Sequence, residues 1–359
     1  MTFSERVLSL TQDYLLPKVA DNVLNSNVLL LRLMGSAKEG KGESIKKAIK
    51  YANSGQASSF AGMDTFTPAA LNTKVRLSYD MRGVRQPIAI SGMEAVANAV
   101  SETQVTDLVK EALEETQQEL VDSLGSIIYS DGTGNSNKDP LGLRAIVDDG
   151  TDVSTIGGLS RTTYPVLNAY RAAASGGALS LSNLATMFTN VSSGTGMTTP
   201  TMIVSNETVW DLYETLLTPM VRENYTMFGY YQVGANGGAT RQQGLVGTQG
   251  FVALTYKGIP WARDEKATTQ RAYMLNENWL DWYGWDARGM FGYNAIKLGN
   301  STIDGVYAES PFSSFSGFNW SGFRAPDNAF GGIADVIILG NLTSWQPRRQ
   351  GVLTGITTV

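Results

Sequence analysis

Between residues 101 and 128, apolar or small side chains recur three or four apart, at Val105, Leu108, Val109, Ala112, Leu113, Thr116, Leu120, Leu124 and Ile127. That period predicts one amphipathic helix of about seven turns whose apolar stripe faces a core. Ser101 and Gln104 have the spacing of a capping box at its start, and Gly125, Gly132 and Gly134 supply stopping points. Its other face is almost all carboxylate: residues 101–124 hold seven acidic residues against the single Lys110.

Other stretches change period. Residues 1–37 read as two short helical pieces either side of Pro17, an arm too short to hold a core alone. Alternation over 74–79 and 86–90 predicts two strands, the signature of a long β-hairpin with a loose middle. Residues 180–191 are helical in pattern, 201–204 form a buried strand, and 207–217 return to helix before Pro219. A Gly- and Gln-rich stretch at 229–250 reads as a surface loop or hairpin tip. Strands are predicted at 251–254, 259–261 and 272–275, and a buried one over 334–342. The mixture defines an α+β chain with a small α/β layer.

Composition narrows the chemistry. The 359 residues contain no cysteine and no histidine, which removes disulfides, imidazole or thiolate metal sites and His-based triads. A structural protein without catalytic residues, cofactor or metal is expected. The loop at Asp131, Gly132, Thr133, Gly134 and Asn135 superficially resembles a calcium loop, but Gly142 stands where its last ligand, a glutamate, belongs. All seven tryptophans follow residue 209, and bulky aromatics serve burial far more often than sugar or base binding. No apolar run is long enough for a membrane helix, and no secretory signal is visible.

Charge suggests a partner. Residues 38–93 carry nine basic against four acidic residues, opposite in sign to the acidic helix. Lys46, Lys47, Lys50, Arg76, Arg82 and Arg85 on the first segment, with Glu111, Glu114, Glu115 and Glu119 on the second, are therefore candidates for contacts between copies. Each run also reads simply as a solvated face. Charged residues are only 17% of the chain, low for a free-standing domain, and fit a molecule that hides surface against copies of itself. A net charge of −5 without a basic aromatic stripe disfavours dedicated nucleic-acid binding.

Several short motifs occur in a telling order. These are Ile90-Ser91-Gly92-Met93-Glu94 before the long helix and Ile128-Tyr129-Ser130-Asp131-Gly132-Thr133-Gly134-Asn135 after it. Ile156-Gly157-Gly158-Leu159-Ser160-Arg161 follows, then Gly340-Asn341-Leu342-Thr343 and Gln350-Gly351-Val352-Leu353 at the end. Together they resemble the major capsid proteins of tailed bacteriophages with the HK97 fold.

The resemblance implies an N-terminal arm at 1–37 and an extended loop at 38–93. It implies a peripheral domain at 94–182 and 271–332 with the spine helix, and an axial domain at 183–270 and 333–359. It further implies a homo-oligomer of hexamers and pentamers in an icosahedral virion shell, assembled in the host cytoplasm. Portal and decoration proteins and weakly held double-stranded DNA would be its partners, with no membrane. Because Met1 stands some forty residues before the loop, a separate scaffolding protein or none is expected. Without a matching Glu and Asn pair, Lys46, Lys47 and Lys50 are not expected to form isopeptide crosslinks. A bacterial nanocompartment of the encapsulin kind is the alternative, and a Trp-rich carbohydrate-binding protein a more distant one.

Overall fold

A computed structural model of the chain describes residues 27–98 apart from 66, 68 and 70, then 108–193, 199–224, 231–233, 239–241, 253–285, 294–295, 301–303, 306–308, 318–321, 324–326 and 329–359. The helical pieces around Pro17, the capping box at Ser101 and Gln104, and Val105 lie outside these residues, as do the side chains of Glu111 and Glu114.

The chain enters with helix α1 (Val28–Gly35) and the short strand β1 (Lys38–Glu39). Strands β2 (Ser44–Lys50), β3 (Lys74–Asp80) and β4 (Gly83–Ser91) follow, then helix α2 (Gly92–Asn98) and the predicted long helix, α3 (Leu108–Ile127). The middle of the chain holds β5 (Tyr170–Ala173), α4 (Leu181–Ser192), β6 (Met202–Ser205) and α5 (Glu207–Asn224). The last third adds β7 (Ala253–Tyr256), β8 (Ile259–Arg263), β9 (Arg271–Leu275), β10 (Leu280–Gly284), β11 (Asn294–Ala295), β12 (Phe318–Trp320), β13 (Gly331–Ser344) and β14 (Gly351–Thr354).

Helix α3 buries the second half of its predicted stripe, with Ala112 and Ile127 half-buried; the side chains of Leu108, Val109 and Leu113 lie outside the described residues. Thr116, Leu120 and Leu124 are covered, and Ile128 continues the row just past the helix end. They pack with Leu29, Leu30, Leu33 and Met34 of α1 and with Ile88, Ile90, Val336 and Ile338 of the sheet behind. Gly125 does not stop the helix. A side chain there would strike Asn27, whose amide donates to the Val121 carbonyl at 3.3 Å, so the glycine admits the entry of α1. The stop comes at the following turn, where Gly132 is left-handed at φ 75° and Asp131 accepts from the Thr133 amide at 3.0 Å.

Two six-stranded sheets organise the rest. In the first, the order is β1, β10, β13, β12 and β11, with β4 also on β13. The 14-residue strand β13 is its backbone: residues 331–339 pair with β4 and 340–344 with β10. The second sheet runs β7, β8, β6, β9, β14, β5 and carries α4 and α5. Its strands read as unbroken apolar runs because both faces are covered. Ile203, Met274 and Leu353 face one core with Leu184, Met187, Val209 and Trp261. Their neighbours Met202, Val204, Tyr273, Leu275 and Val352 face the core that α3 shares.

Local side-chain and backbone chemistry closes several element ends. Ser180 caps α4 by accepting from the Asn183 amide, and Asn206 caps α5 by accepting from Val209. Lys257 and Gly258, both at positive φ, make the two-residue turn between β7 and β8. Helix α5, in contrast, runs through Pro219 to Asn224. A proline removes one amide bond and kinks a helix without always ending it.

Strand pairing also departs from the expectation. The predicted strands at 74–79 and 86–90 do not form one hairpin: β3 pairs with β2, while β4 pairs with β13. Strand β13 lies in the first sheet, and β5 and β9 lie in the second. Alternation identifies a strand but not its neighbour, so pairing across some 250 residues of sequence was not legible.

Candidate assembly surface

The β2–β3 hairpin stands on a narrow root. Leu77 and Tyr79 are buried, the Tyr79 hydroxyl donates to the Ser344 carbonyl at 2.7 Å, and its ring meets Trp345 edge-on. The turn at Gly157 supports the other side, accepting from the Ser78 amide at 3.0 Å. Gly157 is left-handed at φ 55°, and a side chain there would run into Leu77. That is a physical reason for the Ile156-Gly157-Gly158-Leu159 motif.

Pairing sorts the predicted cations. Lys46, Lys50 and Arg76 share one face of the hairpin with Lys74, and all four are exposed. Lys50 lies directly opposite Lys74, a like-charge pair that is unfavourable until a counter-charge arrives. Lys47 points to the other face, its ammonium 5.3 Å from the Trp345 ring. Beyond the hairpin, the described residues between 51 and 73 form a loop held by internal contacts such as the Tyr51 hydroxyl on the Asn72 carbonyl at 2.8 Å. Phe60, Met63 and Leu71 are exposed on it, Met63 completely. Sequence patterning did not single them out, because a loop residue's burial depends on what lies above it.

Among the described residues, the basic segment and the acidic helix do not pair as a set within one chain. Arg82 donates to the carbonyls of Gly132 and Asp139 at 2.9 and 2.6 Å, fixing the turn after α3. Arg85 lies 3.7 Å from Asp335. Glu119 accepts from Gln86 at 2.7 Å, and Glu115 is exposed. The hairpin cations are thus left to face outward.

The body beneath is braced by charges that sequence reading missed. Arg161, almost fully buried, donates to the carbonyls of Asp148, Ala145, Ile146 and Leu167, and burial pulls its guanidinium below its ordinary range. Asp152 meets Arg144, Arg171 and Arg271, each at 2.9 Å. Burial opposes its charge, but the three guanidinium groups outweigh it and hold the carboxyl well below the usual range. Asp148 follows the same logic: burial pushes it up, while the Val153 amide, Arg171 and the Gly150 amide hold it down.

Asp264 joins a second set of elements. It accepts from the Leu29 amide at 3.1 Å, capping α1 from outside, and from the Tyr129 hydroxyl at 2.9 Å. Burial raises its carboxyl, only partly offset by these donors. Arg32 on the same helix makes a two-pronged pair with Glu277 at 2.7 and 2.9 Å. Among the described residues no cluster of acidic side chains has a metal-binding arrangement. The tryptophans Trp261, Trp282, Trp285 and Trp345 are buried, which makes them core and not an open platform.

A long helix under one sheet, a hairpin standing off the body and a second, helix-covered sheet together define an α+β architecture of the HK97 kind. No protein-family model matches the chain, and no curated protein matches its sequence. Solved structures match it over nearly its whole length. A chain of the cyanophage A-1(L) capsid asymmetric unit has a TM-score of 0.72 at 15% identity, covering 99% of this chain and 100% of that one. A chain of the Myoviridae phage XM1 capsid has a TM-score of 0.57 at 12% identity, with 99% of both chains covered. The SrpI encapsulin of Synechococcus elongatus has a TM-score of 0.52 at 11% identity, covering 99% and 96%. This chain has the HK97-type capsid fold.

Proposed function

We propose that the protein is a structural shell subunit, the major capsid protein of a tailed bacteriophage. Copies assemble as hexamers and pentamers into an icosahedral virion shell around double-stranded DNA, in the host cytoplasm, beside portal and separate scaffolding or decoration proteins. The observation that carries this reading is the end-to-end match to a capsid chain at a TM-score of 0.72. The exposed apolar loop and the cationic hairpin face support it, since both are surfaces that a single copy leaves uncovered. In this assignment α3 and the first sheet serve the periphery of each capsomer and the second sheet its axis. Hairpin cations Lys46, Lys50 and Arg76 meet the acidic face of α3 on a neighbour.

A nanocompartment is the second reading, favoured by the encapsulin match. Expression alone and with neighbouring genes, followed by negative-stain electron microscopy, separates the two. Closed particles holding DNA support the phage shell, and particles holding an enzyme support the compartment. Only small species under both conditions would refute both.

A further inference from the structure

The body-facing positions of β2 are Ile45, Lys47 and Ile49, so a lysine interrupts an otherwise apolar row. The register fixes its direction. Lys47 lies opposite Leu77, which is fully buried, and its ammonium sits 5.3 Å from the centroid of the Trp345 ring. Lys47 stays open to water there because a cavity of about 300 Å³ separates β2 from the body. One cation–π contact at an exposed site is worth only about 0.5–1 kcal/mol, so the ring alone is a weak reason to break the row with a charge.

Two short 3₁₀ turns, Pro165–Leu167 and Pro347–Arg349, supply the opposite wall. The second turn carries Arg348, which is exposed, and Arg349, which is buried and donates to the Ser193 carbonyl at 3.2 Å. Lys50 also borders the cavity, and none of the lining residues is acidic. Four cations around one cavity are the reverse of the chain's net charge of −5. Ile49, Val166 and Trp345 make the rest of the wall apolar, and apolar surroundings lower the local dielectric and strengthen the pull on an anion.

We propose that this cavity binds a small multivalent oxyanion of the phosphate class, held between Lys47 on the hairpin and Arg348 on the body. Its volume lies at the lower limit of small-molecule sites, roughly 300–1,000 Å³, which suits a compact ion such as phosphate or diphosphate. The planar guanidinium of Arg348 can donate two parallel N–H bonds to such an ion, while the Lys47 ammonium adds a point charge from the other side. A bound ion would tie the hairpin to the body. The site lies within one chain, so the inference stands apart from the shell reading.

The test is titration of the unassembled full-length protein with pyrophosphate, in phosphate-free buffer at constant ionic strength, followed by tryptophan fluorescence and phosphorus NMR line width. Saturable binding is expected. Lys47→Met keeps an unbranched stem in the apolar row, and Arg348→Gln changes an exposed position, so both should fold by circular dichroism. Each should weaken pyrophosphate binding about ten-fold, the loss of one charge-assisted contact. Lys46→Gln, on the outer face of the same strand, should leave it unchanged.

No saturable response, an equal response to potassium chloride at matched ionic strength, or binding that Lys46→Gln weakens as much as Lys47→Met would overturn the proposal. Binding of a short DNA duplex but not of pyrophosphate would overturn it in favour of a nucleic-acid surface.

Discussion

Replacing Asp152 by alanine removes the carboxylate on which three guanidinium groups converge, from the short helical turn Leu143–Ile146 after α3 (Arg144), from β5 (Arg171) and from β9 (Arg271). The losses are unequal. Arg144 has its side chain 42% exposed and can turn to water, and Arg171 keeps Asp148 at 2.7 Å. Arg271, 13% exposed, is left without its partner carboxylate. Orphaning one fully buried charge costs about 3–5 kcal/mol, and partial exposure reduces this to roughly 2–3 kcal/mol here. In a chain of this size that is a fall in melting temperature of only a few degrees, about 2 °C or less per kcal/mol.

The pH dependence gives the sharper check. A carboxyl whose folded value is depressed stabilises the fold above its unfolded value, about 3.9, and loses that contribution as pH falls toward the folded value. The gap between wild type and Asp152→Ala should therefore be full at pH 7 and shrink below about pH 4. Differential scanning calorimetry of unassembled protein across that range reads it. Equal midpoints at pH 7, or a gap that persists undiminished at pH 2.5, would refute the reasoning.

Other outcomes follow from single residues. Gly157→Val should cost about 2–4 kcal/mol, from a left-handed β-branched residue and its clash with Leu77, and should speed protease cutting within residues 51–73. Asp264→Ala strips an acceptor from both the Leu29 amide and the Tyr129 hydroxyl, so amide exchange in α1 should rise by at least about ten-fold. Mature particles boiled in denaturant should run as intact monomer on a gel. Covalent ladders would place Lys46, Lys47 or Lys50 in crosslinks instead.

Legibility in the sequence followed the range of the interaction. The stripe through Leu120 and Leu124 is local, and it appears where the pattern puts it. Gly125 was misread because a glycine within a helix signals a stop or a close approach equally well, and Asn27 supplies the approach. Arg82 counted as an interface cation, yet it clamps two carbonyls some fifty residues on, a role that no spacing rule encodes. Arg161 stood at the end of a quoted motif, but its bracing role gave no signal, since its partners are backbone carbonyls and carry no residue identity. On the candidate assembly surface the charges can be listed from sequence, while Phe60, Met63 and Leu71 could be recognised as exposed only once the loop was placed.

In the shell proposed above, those three exposed residues are surface for a neighbour to cover. Burying each on a neighbour is worth about 1.5–3 kcal/mol, whereas each exposed ion pair contributes about 0–1 kcal/mol and weakens with salt. In that proposed shell the apolar loop residues would therefore supply most of the binding and the hairpin cations would mainly orient the encounter. The two contributions respond oppositely to salt and mutation. Raising salt from about 0.05 to 0.5 M should slow assembly while leaving finished shells intact, because screening acts on encounter more than on packed apolar contacts. Phe60→Ser with Met63→Ser should do the reverse, barely changing the salt dependence of the rate but letting finished shells dissociate on dilution. Time-resolved light scattering gives the first and sedimentation of diluted particles the second. Shells that fall apart in high salt, or survive dilution with both serines in place, would mean that charge and not the apolar loop binds the copies.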